Sequence, residues 1–242
     1  MSKLRAKNIE PATGTTLTLG ASGDAIAVSS DSVQANTWQD TGGNSLFVSD
    51  GSGTLSSVNS GLSGGGYTLI GSAHTASNAA SIDITSGIDS TYEEYIFVLT
   101  DMNPATDNVD LEFQVQLTSG TSYNTSISSI FFNAYHDEAG SSSALTFESS
   151  KSQGTGTAYQ PISYNTGNAG DELSAGILHL FSPANTTYIK HFMAITQNTR
   201  ANENSFNCYT AGYYNTTTAI DGISFKFTSG NLDGTVQMYG VS

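Results

Sequence analysis

From residue 110 the chain alternates over eight positions, with Leu111, Phe113, Val115 and Leu117 apolar and Asp110, Glu112, Gln114 and Gln116 polar. Successive side chains of a strand point to opposite faces, so the pattern predicts a half-buried β-strand with its carboxylates and amides in solvent. Just upstream, residues 92–100 (YEEYIFVLT) form a near-continuous apolar run, expected of a strand buried on both faces. The turn-rich stretch DMNPATDN separates the two and predicts an antiparallel connection between them. Ile82 and Ile84 share one face of SIDIT. Further strands are expected at 127–135, 144–147, 175–181, 187–196, 206–214, 222–227 and 234–240, about nine or ten in all. No segment carries a helical period. Short strands separated by Gly, Asn and Ser turns predict an all-β antiparallel sandwich of jelly-roll type over residues 67–242.

The first 66 residues have another texture. Their only aromatics are Trp38 and Phe47, and the apolar residues come in short pairs. Leu17, Leu19 and Ile26 recur as Leu46, Val48 and Leu55 after a shift of 29 positions. Each copy reads as a strand, turn, strand unit with too little apolar surface to stand alone, since an isolated hairpin is marginal in water. Burial by identical neighbours wound round one axis predicts a homotrimeric shaft. A Gly/Ser linker is the plainer reading of the same composition. The expected organisation is an attachment segment at 1–20, a short β-shaft or linker at 21–66 with a glycine hinge at 62–66, and the sandwich at 67–242.

Charge changes the picture more than composition does. The formal net charge is −14, charged residues make up only 12% of the chain, and 37% are hydrophobic. No Lys or Arg occurs between Lys7 and Lys151, whereas Lys3, Arg5 and Lys7 crowd the start. Such a chain has no clustered cations to displace phosphate counterions, so nucleic acid and anionic membrane are not expected partners. The short basic head, with Leu4 inside it, predicts a docking peg for an acidic or amide-rich socket. The start MSKLRAKNIEP has no apolar signal core, and no window reaches the ~18 apolar residues of a membrane span. Synthesis in a cytoplasm and release within an assembled particle is the expected route. Cys208 is the only cysteine, so no intrachain disulfide can form, and a buried strand position is expected for it.

Several residue clusters could carry chemistry. Residues 61–65 (GLSGG) match the nucleophile-elbow pattern of hydrolases, but that motif needs a sharp strand-to-helix turn and here lies in a glycine stretch. The run Tyr135, His136, Asp137, Glu138 predicts a solvated turn rather than a site, because neighbours on extended backbone diverge. Asp101, Asn103, Asp107, Asn108 and Asp110 could offer oxygens to Ca²⁺, yet their spacing is not that of an EF-hand, and turn chemistry accounts for them. No metal and no cofactor is expected. His179 and His191 are expected as core or inter-subunit histidines. Glu93, Glu94, Asp110 and Glu112 include no pair that must converge as glycosidase carboxylates do. Tyr123, Tyr135, Tyr159, Tyr164, Tyr213 and Tyr214 lie in or beside polar, turn-like sequence, where a ring can stack on sugar C–H faces while its hydroxyl hydrogen-bonds. As a group they are the expected ligand contacts; closing sandwich edges or packing between subunits is the alternative for each.

The opening MSKLRAKNIEPATGTTLTLG resembles the amino-terminal attachment segments of virion fibre proteins of tailed phages, in particular those of marine bacteria and cyanobacteria. Residues 81–99 (SIDITSGIDSTYEEYIFVL), the pairs NPATDN with DLEFQVQL and FFNAYHDEAG with AGILHLFSPANTTYIKHF, and the ending AGYYNTTTAIDGISFKFTSGNLDGTVQMYGVS resemble their carboxy-terminal β-domain. The resemblance spans nearly the whole chain and rests on scaffold and turn residues. It implies a virion location, a lectin-like or jelly-roll fold, trimeric assembly and no catalytic residues. Three functions follow from it: a short tail fibre that adheres to a host-surface glycan or protein and docks on a tail adaptor or nozzle; a capsid-attached fibre or decoration protein; and a polysaccharide-degrading tailspike. Replacing Lys3, Arg5 and Lys7 together by Gln is expected to reduce incorporation into particles without unfolding the β-domain, as read by immunoblot of purified particles beside circular dichroism of the free protein; normal incorporation would refute the docking role.

Overall fold

The computed structural model describes residues 37–39, 44–49, 52, 55–58 and 66–241. The chain divides into two compact units, Met1–Gly64 and Gly65–Ser242. Among the described residues of the first unit, β1 (Thr37–Gln39), β2 (Ser45–Ser49) and β3 (Leu55–Val58) form an antiparallel sheet in the order β1-β2-β3. Trp38 stacks on Phe47 with ring centroids 5.7 Å apart, yet all three residues of β1 remain exposed. The first copy of the 29-residue repeat, the GLSGG stretch and the basic head (Lys3, Leu4, Arg5, Lys7) lie outside the described residues.

The second unit is all-β, with no α-helix among its described residues. Its strands are β4 (Tyr67–Leu69), β5 (His74–Ala79), β6 (Ile82–Ile84), β7 (Glu94–Pro104), β8 (Leu111–Leu117), β9 (Ile127–Asp137), β10 (Ser143–Phe147), β11 (Gly154–Gly156), β12 (Gln160–Pro161), β13 (Ser174–Phe181), β14 (Lys190–Thr199), β15 (Asn204–Tyr214), β16 (Ile220–Phe227) and β17 (Leu232–Val241). A large antiparallel sheet runs β10-β9-β15-β14-β13-β7-β17-β4, with β11 on β9 and β5 on β17, and a smaller one runs β12-β8-β16-β6. The two sheets face one another as in a β-sandwich. Phe97 of the large sheet lies 5.8 Å from Phe225 of the small one, and Phe192 lies 5.1 Å from Phe113.

Local sequence explains the strand faces. In β14 the burial alternates strictly, with Lys190, Phe192, Ala194, Thr196 and Asn198 inward and His191, Met193, Ile195 and Gln197 outward, the period of two expected of a pleated strand. β7 is buried on both faces from Tyr95 to Phe97, as its continuous apolar run predicts. The β9–β10 hairpin is closed by Asp137, whose Oδ1 accepts from the amides of Ser141 at 2.7 Å and Ser142 at 3.1 Å, with Gly140 at φ +67°. Turn chemistry is therefore what the His136-Asp137-Glu138 run provides. Gly212 is required where β15 meets β9, because a Cβ there would lie 2.4 Å from the Ser128 carbonyl oxygen.

Two expectations are corrected. β7 and β8 are not a hydrogen-bonded pair: β7 pairs β13 and β17, β8 pairs β12 and β16, and the DMNPATDN loop carries the chain from one sheet to the other. Nor does the polar face of β8 meet solvent. Asp110, Glu112 and Gln114 are all buried, and Gln116 is half-buried. A strap of chain lies over them: Gln114 Nε2 donates to the carbonyls of Thr125 (3.0 Å), Thr157 (3.3 Å) and Ala158 (3.1 Å). Asp110 pairs with Lys151 and accepts from the amide of Asn165 at 2.8 Å. Buried polar groups are tolerable only with such partners. A hydroxyl chain continues the strap inward, from Ser163 to Thr166 (3.0 Å) to Ser174 (2.8 Å).

Cys208 is fully buried on the inner face of β15 beside Phe131 and Phe206. Burial pushes its thiol up to about 12, so neither access nor thiolate supports reaction. A thiol reagent such as dithionitrobenzoate is expected to modify no Cys208 in the native protein and one equivalent in denaturant; stoichiometric labelling of the folded chain would contradict the packing.

Candidate functional site

Two surfaces of the second unit stand out, one polar and one apolar. The polar surface is built on the small sheet. Register places Ser224 opposite both Asp83 of β6 and Gln114 of β8, and Lys226 opposite Glu112. The loop after β8 brings in Tyr123, and the strap before β12 brings in Tyr159, their ring centroids 6.4 Å apart at an interplanar angle of 53°. The Lys226 ammonium sits over one face of the Tyr159 ring, 4.3 Å from its centroid, and also lies 3.4 Å from Glu112 Oε1. Both rings are half-buried, while Asp83 is exposed.

The electrostatics of this shelf follow from its partial burial. Desolvation raises the Tyr123 hydroxyl, assisted by the negative charges of Asp83 and Asp221, and desolvation raises Tyr159 likewise, assisted by Asp83 and Glu112. Both phenols therefore stay protonated at neutral pH and can donate as well as accept. Burial also raises Glu112, a tendency opposed by Lys226. Two tilted rings, a cation and carboxylates within one small area form an arrangement suited to a polyhydroxylated ligand: ring faces take C–H groups and carboxylates accept from hydroxyls.

The apolar surface is the outer face of the large sheet. Cross-strand pairing aligns Val98, Ile177, Ile195, Tyr209, Phe132 and Phe147 in a single row across β7, β13, β14, β15, β9 and β10. A parallel row holds Ile96, His179, Met193, Ala211 and Ile130. Phe132 and Tyr209 stack almost flat, 5.0 Å apart at 6°. Leu145 extends the patch at the β10 edge and is 74% exposed. Shallow grooves of about 320 Å³ beside Gly176 and about 210 Å³ between Phe132 and Met193 run between the ridges.

No family model, no curated protein and no solved structure matches this chain. The geometry alone therefore sorts the residues expected from sequence. Of the six tyrosines, Tyr123 and Tyr159 come together on the polar shelf. Tyr135 and Tyr164 instead stack on Phe206, at 4.9 and 5.2 Å, and Arg200 lies over the Tyr164 ring at 5.6 Å; these rings close a secondary core. Tyr213 lies on the outer face of β15, 6.0 Å from His191. Tyr214 is corrected outright: it is fully buried and packs against Phe113 and Phe192, so it is a core residue. The adjacent pair Tyr213-Tyr214 splits because a strand sends neighbours to opposite faces.

The histidines also separate. His179 is half-buried and paired through Nδ1 with Glu94 Oε1 at 2.5 Å, whereas His191 is exposed in the single chain, which leaves for it the inter-subunit position rather than the core one. Four of the loop residues considered for Ca²⁺, Asn103, Asp107, Asn108 and Asp110, engage protein partners. Asn103 Nδ2 donates to the Ala169 and Glu172 carbonyls, Asn108 Nδ2 to Asp107, and Asp110 holds Lys151. Among the described residues no group of three His, Cys, Asp or Glu is placed to hold a metal ion, and no helix is long and apolar enough to cross a membrane. Sequence reasoning missed Lys226, Asp83 and Asp221, whose isolated positions carry no motif, and Lys190, which is fully buried with its Nζ donating to the Tyr188 carbonyl at 3.2 Å.

The Tyr214 hydroxyl is buried without a hydrogen-bond partner among the described residues. A buried unsatisfied hydroxyl costs about 1–3 kcal/mol. Tyr214→Phe is therefore expected to be neutral or to stabilise by up to ~1 kcal/mol, raising the urea midpoint at unchanged slope; a loss of more than ~1 kcal/mol would show that the hydroxyl is satisfied in solution.

Proposed function

We propose that the chain is an adhesive structural protein of a tailed-phage virion, a short fibre whose carboxy-terminal jelly-roll-like domain contacts host-surface glycan. The basic head at Lys3, Leu4, Arg5 and Lys7 docks it on another virion protein, and residues 21–66 form a homotrimeric shaft between the two. The observation that carries the adhesive role is the convergence of Tyr123 and Tyr159, 36 positions apart in sequence, into one ring pair beside Lys226 and exposed Asp83.

Other features support the reading. The second unit is all-β and antiparallel, an architecture whose loops and sheet faces present rigid surfaces. Trp38 remains 40% exposed in a single chain, as expected of a thin sheet that needs neighbours for burial. Adhesion fits better than hydrolysis because Glu112 faces the Lys226 ammonium at 3.4 Å and shares its site with a cation. The net charge of −14 suits a particle surface that must avoid nonspecific contact with nucleic acid.

Binding of the purified full chain to an array of immobilised bacterial envelope polysaccharides tests the reading. At least one polysaccharide is expected to bind, Tyr123→Ala and Tyr159→Ala are each expected to weaken that binding tenfold or more, and Tyr164→Phe to leave it unchanged. Failure to bind any polysaccharide, or binding that survives both alanine substitutions together, would overturn it.

A further inference from the structure

We infer that the outer face of the large sheet, across β9, β15, β14 and β13, is an interface between copies of this chain, so that the sandwich itself self-associates and does not rely on the amino-terminal segment alone for assembly. Seven large apolar side chains, five on this face and Leu145 and Phe147 on the adjoining β10, are between 37% and 74% exposed. Taking ~200 Å² for a large side chain, about half exposed, the patch is on the order of 700 Å². That exceeds the ~300–600 Å² of the largest patch on an ordinary monomer and approaches the ~800 Å² that each partner contributes to a standard stable interface.

Charge identifies the occupant. The outward positions of β9, β13, β14 and β15 hold no Asp, Glu, Lys or Arg, in a chain of net charge −14. Two copies repel over most of their surfaces, and only a neutral face lets them approach. A cationic protein would be drawn to the acidic remainder, and an anionic lipid surface would be repelled by the chain as a whole. The relief of the face also suits its own copy. Sheets stack face to face about 10 Å apart when ridges of one enter the grooves of the other. Here the ridges of Ile195, Met193 and Phe132 lie beside the 210 and 320 Å³ grooves at Ala211 and Gly176, so one face offers both halves of the fit. The row pairs Ile177, Ile195, Tyr209 and Phe132 directly across four strands, leaving no charged rung to desolvate.

This inference stands apart from the glycan shelf, which lies on the other sheet, and its test uses no ligand. The full chain, 25.3 kDa, is examined by sedimentation equilibrium while peroxide oxidation of Met193 is followed by mass spectrometry. A dimer or trimer is expected in which Met193, 49% exposed in one chain, oxidises at least tenfold more slowly than a free methionine standard. Ile195→Glu, and separately the milder Ile195→Thr, are expected to lower the association constant and speed Met193 oxidation, with circular dichroism unchanged. Wild-type protein that sediments as a single chain would overturn the inference, whether or not Met193 is protected. So would an oligomer in which Met193 oxidises as fast as the standard, because assembly would then run through another surface.

Discussion

The packing of β8 and β16 onto the large sheet through aromatic rings is the contact on which the rest of the second unit depends. Phe113 is its centre, meeting Phe192 and Tyr214 edge-on and Phe225 in a stack. Each such ring contributes about 2–3 kcal/mol on burial, and edge-to-face pairs add to it. Because those rings come from β8, β14, β15 and β16, they join strands distant in sequence. The sheets on either side are thereby held as rigid plates, and every surface feature is placed relative to them.

The second constraint is polar. β8 has a hydrophobic face turned to the core and a hydrophilic face covered by the strap of residues 157–166. That cover desolvates Asp110, Glu112 and Gln114, and each is compensated: a lysine for Asp110, a lysine for Glu112, three carbonyls for Gln114. Buried charges in such pairs add little net stability but leave few alternative arrangements, since breaking one pair strands its partner. The same strap delivers Tyr159 to the shelf, so the polar network that fixes the strap also fixes the candidate ligand contact.

The second unit presents two exposed surfaces of opposite character. One side of the sandwich is polar, aromatic and partly charged, suited to hydroxyl-rich ligands. The other is apolar and, across β9, β13, β14 and β15, holds no outward Asp, Glu, Lys or Arg, with Glu94 of β7 at its border paired to His179, and it suits a like surface. A chain with so few ionic residues obtains its solubility from hydroxyls and amides, and a neutral apolar face on an acidic body directs association to one place.

The alternation of DLEFQVQL, the continuous run YEEYIFVL and the turn residues of His136-Asp137-Glu138 were enough to locate β7, β8 and the β9–β10 turn, because strand formation depends on local periodicity and turn chemistry. Burial of Cys208 was legible for the same reason. Periodicity could not say what lies above a strand: the polar face of β8 reads as solvent-facing, and only the strap folding back from residue 157 made it interior. Nor could it tell which tyrosines meet, since Tyr123 and Tyr159 are joined by loop paths, or that Tyr214 would point inward while Tyr213 points out. The connection between β7 and β8 was misread because a turn signal marks where a chain reverses, whereas the sheet each strand joins is decided by long-range pairing with β13, β17 and β16. Local pattern thus determined the strands and their inner apolar faces; tertiary packing alone decided the partners, the covered polar groups and the surfaces left for binding.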